Sequence, residues 1–162
     1  MYKRLLYLAF LVLILDSCSF VKRIFHRSGS SYYSSSEIKA IVKEAKKFKG
    51  VPYKTGGMDK KGMDCSGLLF TSYAVNDFSI PRVSSDQAKF GEEIRLKDVQ
   101  LGDWVFFATG KVGLINHVGL VTKDQPAISF IHASTTYGVR EDLLYQKFWL
   151  DRIVKIIRPF KN

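Results

Sequence analysis

One cysteine and two histidines of this chain have the types and surroundings that nucleophilic catalysis requires. Cys65 lies in Asp64-Cys65-Ser66-Gly67, where an apolar helix is predicted to begin. His117 and His132 follow in apolar segments, flanked by glycine or alanine, that are typical of strands. A thiol needs a base to become a nucleophile at neutral pH, and that base needs a third group to hold its ring. These residues therefore predict a cysteine hydrolase.

The predicted position of Cys65 bears on its reactivity. The free N–H groups and the macrodipole at a helix N-terminus favour a thiolate, so we expect this helix to lower the pKa of the Cys65 thiol. Backbone amides at the same helix start could donate hydrogen bonds to the oxyanion of a tetrahedral intermediate. One local structure would then activate the nucleophile and stabilise the transition state.

Each of these residues also has a simpler interpretation. A buried cysteine can serve as a small hydrophobic residue, and a lone strand histidine can be a satisfied core residue. A Cys/His/His zinc site is the sharper alternative, but the sequence lacks the close ligand pair of structural zinc sites. We therefore expect no metal and no other cofactor. Asp103, in Leu101-Gly102-Asp103-Trp104, is interpreted as a turn residue before a strand rather than a catalytic acid.

The composition indicates one globular domain with a basic surface. The chain has 162 residues and a formal net charge of +10. Such a charge suits nucleic acid, an anionic membrane or an acidic polymer. Nucleic acid is not expected, because no recognised binding motif organises the basic residues. A basic surface that is solvated and binds no partner is the remaining alternative. We expect the protein to be a monomer.

Residues 1–17 are predicted to be a lipoprotein signal peptide. Lys3 and Arg4 precede an apolar run from Leu5 to Leu15 that is too short to span a bilayer comfortably. Leu15-Asp16-Ser17-Cys18 resembles a bacterial lipoprotein cleavage site, although Asp16 replaces the usual small or apolar residue. Cys18 would then be the acylated N-terminus. A plain N-terminal anchor and an ordinary secretory signal are the alternatives.

Lipidation of Cys18 would also determine the state of Cys65. The chain has two cysteines, so a Cys18–Cys65 disulfide is the structural alternative in an exported protein. An acylated Cys18 has no thiol to offer, which leaves Cys65 free. Residues 18–35 are predicted to be a basic and serine-rich tether, in which His26 is a polar residue without a ligand role.

The remaining pattern predicts an α+β domain over residues 36–162. A helix begins near Ser36, with Ser34 and Glu37 placed as a capping box, and Cys65 opens a second helix. A short helix from Ser84 to Phe90 follows. Strands are predicted at 104–108, 117–122, 128–133 and 152–158. Helices first and strands afterwards indicate N-terminal helices packed on an antiparallel sheet.

Six ordered motifs resemble those of NlpC-type cysteine peptidases, from about Glu37 to Pro159. The resemblance implies a papain-like fold and hydrolysis of peptides in bacterial peptidoglycan. The motifs are Gly50…Pro52-Tyr53…Gly56-Gly57, Asp64-Cys65-Ser66-Gly67, Pro81-Arg82…Ser84-Ser85-Asp86-Gln87, Leu101-Gly102-Asp103-Trp104-Val105-Phe106-Phe107, His117-Val118-Gly119 and Ile131-His132-Ala133.

The resemblance also implies a catalytic role for three residues. Cys65 would be the nucleophile. His117 would be the general base that later protonates the leaving amine. His132 would orient the ring of His117, as Asn or Asp does in related triads.

Three further residues would contact the substrate. Tyr53 matches a tyrosine whose hydroxyl lies beside the nucleophile and helps the oxyanion; a loop-packing aromatic is the alternative. Asp64 and Ser66 match residues that bind the free amine of the stem peptide in some members of the family.

The expected function is a lipid-anchored peptidoglycan endopeptidase in the cell envelope, facing the wall from the outer membrane or periplasm. The target is either the D-glutamyl-γ-diaminopimelate bond within one stem or the D-alanyl-diaminopimelate bond of a crosslink. A non-catalytic wall-binding lipoprotein, and an amidase or acyltransferase on the same fold, are the alternatives.

Overall fold

The computed structural model describes residues 31–161. The predicted signal peptide, Cys18 and His26 lie outside the described residues. No helix in the described part of the chain is both long enough and apolar enough to cross a membrane. The helices are α1 (Ser35–Lys46), α2 (Cys65–Ala74), α3 (Ser84–Gln87) and α4 (Lys147–Leu150), with a 3-10 turn at Leu96–Asp98. The strands are β1 (Ser31–Tyr32), β2 (Met58–Asp59), β3 (Gly62–Met63), β4 (Gly91–Glu93), β5 (Trp104–Phe107), β6 (His117–Lys123), β7 (Ser129–Ser134), β8 (Gly138–Leu143) and β9 (Ile153–Lys161).

The main sheet is a meander, β5 to β8, whose last strand, β9, returns to pair with β5. Its order is β1-β9-β5-β6-β7-β8, and β4 pairs with β9. The pairs from β4 to β9 are antiparallel. The strands β2 and β3 form a separate hairpin before α2. The expected α+β fold, with helices preceding an antiparallel sheet, is confirmed.

The side chains of β5 alternate between two apolar clusters on opposite faces of the sheet. Trp104 and Phe106 belong to the cluster that includes the buried faces of α1 and α2. Val105 and Phe107 belong to the second cluster, which includes Trp149 of α4. The sheet is therefore covered on both faces near the beginning of β6, where the first histidine lies.

Both long helices begin where the sequence predicts. Ser34 caps α1, and the reciprocal hydrogen bonds with Glu37 of a capping box are present. Cys65 is the first residue of α2. Within the predicted tether, Tyr33 is buried with its ring packed edge-on against Tyr73 and Phe78, so ordered packing begins before residue 36.

Other elements differ from the prediction. The helix α3 ends at Gln87 rather than Phe90, and β9 continues to Lys161 rather than Arg158. The sequence did not predict β8 or α4. The strand β8 has three consecutive charged residues at 140–142, so it lacks an apolar pattern and is held by its pairing with β7.

Glu141 joins β8 to α1 and β6. Its carboxylate lies 3.1 Å from Nζ of Lys46 and 2.8 Å from Nζ of Lys49, and it accepts a 2.6 Å hydrogen bond from Thr122. Burial raises the pKa of Glu141, but the hydrogen bonds from Lys49, Thr122 and Lys46 outweigh burial and lower the pKa to about 2. Glu141 thus holds in place the strand that also carries residues 140 and 142.

Glu141→Gln is expected to lower the free energy of unfolding at pH 7 by about 1–2 kcal/mol, after a discount for the half-exposed lysines. The folded pKa is lower than the unfolded one, so this contribution is present above pH 4.5 and is lost as the pH falls towards 2. Urea unfolding at pH 7 and pH 2.5 measures it. Asp86→Asn removes an exposed pair with Lys89 and should change stability by less than about 0.5 kcal/mol. If Glu141→Gln loses more stability at pH 2.5 than at pH 7, the stabilisation does not come from the ionised carboxylate.

Candidate active site

Cys65 occupies the first turn of α2, with its thiol free and buried. The helix starts here because Asp64 caps it, accepting a 2.6 Å hydrogen bond from the N–H of Gly67. The backbone N–H groups of Val118, Ser66 and Cys65 itself lie close enough to the thiol to lower its pKa. Val118 directly follows His117, so the fold brings the cysteine to the start of β6.

Burial raises the pKa of the Cys65 thiol above its ordinary value, and the nearby Asp64 carboxylate raises it further. The surrounding backbone N–H groups lower the pKa without reversing the shift. The expectation that the helix start would lower this pKa is therefore wrong in its net direction, because desolvation outweighs the helix. The resting thiol is protonated at neutral pH, and it needs a base for attack.

The two histidines lie side by side on neighbouring strands. His117 begins β6 and His132 lies in β7, and Nε2 of His117 is 2.9 Å from Nδ1 of His132. Gly119 explains part of the His-Val-Gly motif, because a Cβ there would lie 2.4 Å from the Phe130 ring. The Phe130 ring in turn stacks on His132, at 5.0 Å between ring centroids.

Aromatic side chains enclose the histidine pair. The indole of Trp149 stacks on His117 at 5.8 Å and meets His132 edge-on at 4.8 Å. Burial, together with a smaller effect of the neighbouring His132, lowers the pKa of His117 to about 3. Burial also lowers the pKa of His132, against the raising effect of Asp142. Both imidazoles are therefore neutral at pH 7, and His117 is free to accept a proton.

Two cavities flank the beginning of β6. The first has a volume of about 410 Å³ and is lined by Cys65, Tyr53 and Asn116. The second has a volume of about 380 Å³, and His117 and His132 lie in its wall. The nucleophile and the histidine pair thus belong to adjacent cavities, with the consecutive residues Asn116 and His117 between them.

Arg82 binds Asp64 and Ser66, the two residues that were predicted to bind an amine of the substrate. Its guanidinium binds both carboxylate oxygens of Asp64, at 3.0 and 2.9 Å, and the hydroxyl of Ser66, at 2.9 Å. The Asp64 carboxylate also accepts the N–H groups of Gly56 and Gly67. Burial raises the pKa of Asp64, but the hydrogen bonds from Arg82, Gly67 and Gly56 lower it to below its ordinary value. Neither residue is free for an ammonium group while Arg82 stays in place.

Tyr53 and Asp103 have different positions. Tyr53 is half-buried in the wall of the cavity that contains Cys65, as expected of a residue near the nucleophile. Asp103 is buried away from this cavity and binds Arg158 through both carboxylate oxygens, each at 3.0 Å. It also accepts the N–H of Gln100, so Asp103 fixes the turn before β5, as predicted.

Three residues that contact the predicted site were not predicted. Arg82 was part of a quoted motif, but no role followed from its position. Trp149 and Asp142 lie in α4 and β8, the two elements that the sequence did not predict. Nε2 of His132 lies 3.0 Å from Oδ2 of Asp142, which extends the histidine pair by a carboxylate. Within residues 31–161, no group of three His, Cys, Asp or Glu side chains is arranged to hold a metal ion.

Comparison with known proteins shows the family of the chain. Residues 50–158 match the model of the NlpC/P60 family. A probable endopeptidase of Haemophilus influenzae is 33% identical over 113 residues, which cover 69% of this chain and 68% of that protein. The probable endopeptidase NlpC of Escherichia coli is 34% identical over 117 residues, covering 72% of this chain and 74% of that protein.

A solved structure agrees with the sequence matches. A protein of Staphylococcus aureus, described as similar to a lipoprotein of the NLP/P60 family, superposes with a TM-score of 0.70 at 30% identity. The match covers 83% of this chain and 45% of that one, so the chain spans less than half of that structure. With its antiparallel sheet and its cysteine at a helix start, the chain belongs to the NlpC/P60 family of cysteine peptidases, which includes peptidoglycan endopeptidases.

Proposed function

We propose that this protein is a peptidoglycan endopeptidase in which Cys65, His117 and His132 carry out the hydrolysis. The observation that carries the proposal is the packing of Cys65 in one buried cluster with Val118, the residue after a His117 that is hydrogen-bonded to His132. The family supports the substrate class, and the positions of the three side chains support the roles proposed for them.

The proposed reaction is acyl transfer through a thioester. Cys65 attacks the scissile carbonyl while its proton passes to His117. The resulting oxyanion accepts hydrogen bonds from backbone N–H groups at the start of α2 and from the hydroxyl of Tyr53. His117 then gives its proton to the departing amine, and the peptide C–N bond breaks. Water hydrolyses the thioester with His117 again as the base, which regenerates the thiol.

Asp64 and Ser66 keep a place in the proposal as residues that line the cavity of Cys65. Their contacts with Arg82 indicate that they shape this wall. An ammonium group of the substrate would bind here by displacing the guanidinium of Arg82. Because these contacts do not select between substrates with and without a free amine, both candidate bonds next to diaminopimelate, within one stem or in a crosslink, stay in the proposal.

The proposed location is the cell envelope, with the enzyme anchored to a membrane through acylated Cys18 and facing the wall. The sequence of residues 1–18 supports this proposal. The net charge of +10 would favour contact with a polymer rich in carboxylates, although salt would screen much of that attraction.

Digestion of purified muropeptides by a soluble form that starts near Ser28 tests the function. Mass spectrometry should find products that are one water heavier in sum than the substrate, with the new amine on diaminopimelate. A sugar product that keeps only L-alanyl-D-glutamate identifies the stem bond, and conversion of dimers to monomers identifies the crosslink. Muropeptides that stay intact while the protein binds them would contradict hydrolysis and support the wall-binding alternative.

A further inference from the structure

Asp142 connects the histidine pair to a guanidinium. One carboxylate oxygen, Oδ2, lies 3.0 Å from Nε2 of His132, and the other, Oδ1, lies 2.7 Å from Nη2 of Arg140. In the β7–β8 register Arg140 is directly opposite His132, and Asp142 is two residues further along β8 on the same face. The guanidinium of Arg140 also lies over the ring of Tyr137, at 5.2 Å from its centroid. Each end of this carboxylate therefore has one defined partner.

These contacts define where the ring protons lie. An ionised carboxylate can only accept hydrogen bonds, so Nε2 of His132 must carry a proton and donate it to Asp142. A neutral His132 then has a bare Nδ1, which can only accept. Nε2 of His117, 2.9 Å away, must therefore be protonated and donate to it. This leaves Nδ1 of His117 as the bare ring nitrogen, which is the atom that a general base needs.

We infer that Asp142 is a positioning residue that sets the tautomers of both histidines, and that Arg140 fixes the orientation of Asp142. The inference rests on the proposed function, because it matters for catalysis only if His117 is the base. Asp142 lines the second cavity and not the one that contains Cys65, so its effect on the reaction passes through the two histidines. The series of interacting side chains at the site thus extends from Cys65 through His117 and His132 to Asp142 and Arg140.

The role of Arg140 gives the inference an unusual consequence in Asp142→Asn. A guanidinium has no acceptor, so it binds the carbonyl oxygen of the new amide and turns the NH2 group towards His132. Nε2 of His132 then becomes the acceptor and its Nδ1 becomes the donor. Facing that donor, Nε2 of His117 loses its proton, and the proton moves to Nδ1. The base is blocked although each side chain keeps its position.

Removing Arg140 as well should relieve the block. In the double variant Arg140→Ala/Asp142→Asn, nothing holds the amide oxygen away from His132. The amide can then rotate so that its oxygen accepts from Nε2 of His132, which restores the original tautomers. A second substitution in the same site thus increases activity instead of decreasing it further.

The experiment combines imidazole ¹⁵N NMR with the kinetics of muropeptide hydrolysis. The wild type should show protons on Nε2 of both histidines, and Asp142→Asn should show them on Nδ1. We expect kcat to fall about 30- to 100-fold in Asp142→Asn with KM within about 2-fold, and the double variant to recover about 5- to 10-fold. Asp98→Asn is the matched control, since it alters an Asp–Arg pair on the surface and should leave kcat unchanged.

The outcomes separate this inference from the proposed function. Wild-type protons on Nδ1, or tautomers that do not change in Asp142→Asn, would overturn the inference while hydrolysis stands. A wild type that cleaves no muropeptide would overturn the proposed function, and NMR would still decide the tautomers. If Asp142→Asn fails to fold, Asp142→Ala provides the second variant: it should show a mixture of His132 tautomers, and a single wild-type tautomer would contradict the inference.

Discussion

Cys65→Ala is expected to reduce muropeptide hydrolysis to background, a fall in kcat/KM of at least about 10⁴-fold. The substitution removes the sulfur that forms the thioester, while Cβ and the backbone N–H groups at the start of α2 remain. Because only one buried atom is lost, we expect the free energy of unfolding to fall by about 1 kcal/mol. Hydrolysis rates, together with a urea unfolding curve, separate the loss of chemistry from any loss of fold.

Ser72→Ala is the matched control for Cys65→Ala. Ser72 is buried in the same helix, and its hydroxyl donates to the carbonyl oxygen of Leu68, away from the site. It too loses one buried heavy atom, so its stability should change by a similar amount while its activity is kept. Cys65→Ala with more than about 1% of wild-type activity would sink the thioester mechanism. Equal losses of activity in both variants would indicate that the helix, rather than the thiol, is responsible.

The parts of the fold that follow from local chemistry could be predicted from the sequence. Ser34 and Glu37 satisfy the first N–H groups of α1 within the same turn, and Asp64 does this for α2. The strands that contain His117 and His132 are apolar because both faces of the sheet are covered. The positions of the two helices therefore depend on residues close by in the sequence, and the two strands follow from the burial of both their faces.

The strand β8 and the role of Asp142 could not be predicted, because both depend on pairing across the sheet. Residues 140–142 are all charged, and nothing local favours a strand there. The charges are paired through tertiary contacts: Asp142 binds His132 of β7 as well as Arg140, and Glu141 binds Lys46 of α1 and Lys49 just beyond it on the opposite face. These contacts become visible only when β7 and β8 are placed in register.

The protonation state of Cys65 and the partners of Asp64 and Ser66 also could not be predicted without the fold. Local sequence placed Cys65 at a helix start, where a lowered thiol pKa is the usual result. Its burial in the apolar cluster that includes Val118 is a tertiary effect, and burial has the larger influence on the pKa. Similarly, nothing in the local sequence shows that Asp64 and Ser66 already have a partner. In the structure both bind Arg82, which lies beyond the end of α2.

The raised thiol pKa makes the general base essential, so His117→Ala is expected to lower kcat by about 10³- to 10⁴-fold with KM little changed. In the variant no imidazole accepts the Cys65 proton, and Cys65 attacks only in its rare thiolate form. Because the thiol pKa is raised, the thiolate fraction increases steadily from pH 7 to pH 9. The activity of the variant should therefore increase over this range more steeply than that of the wild type.

Added imidazole gives the control, since the lost ring leaves a space beside Phe107 and Trp149 that a free imidazole can fill. Millimolar imidazole should raise kcat of His117→Ala several-fold and leave Cys65→Ala inactive. A deficit that is constant from pH 7 to pH 9 and insensitive to imidazole would show that His117 supports the structure of β6 rather than accepting a proton. A deficit confined to KM would instead assign His117 to substrate binding. Rescue by both alkaline pH and imidazole identifies proton transfer, because a structural role predicts neither.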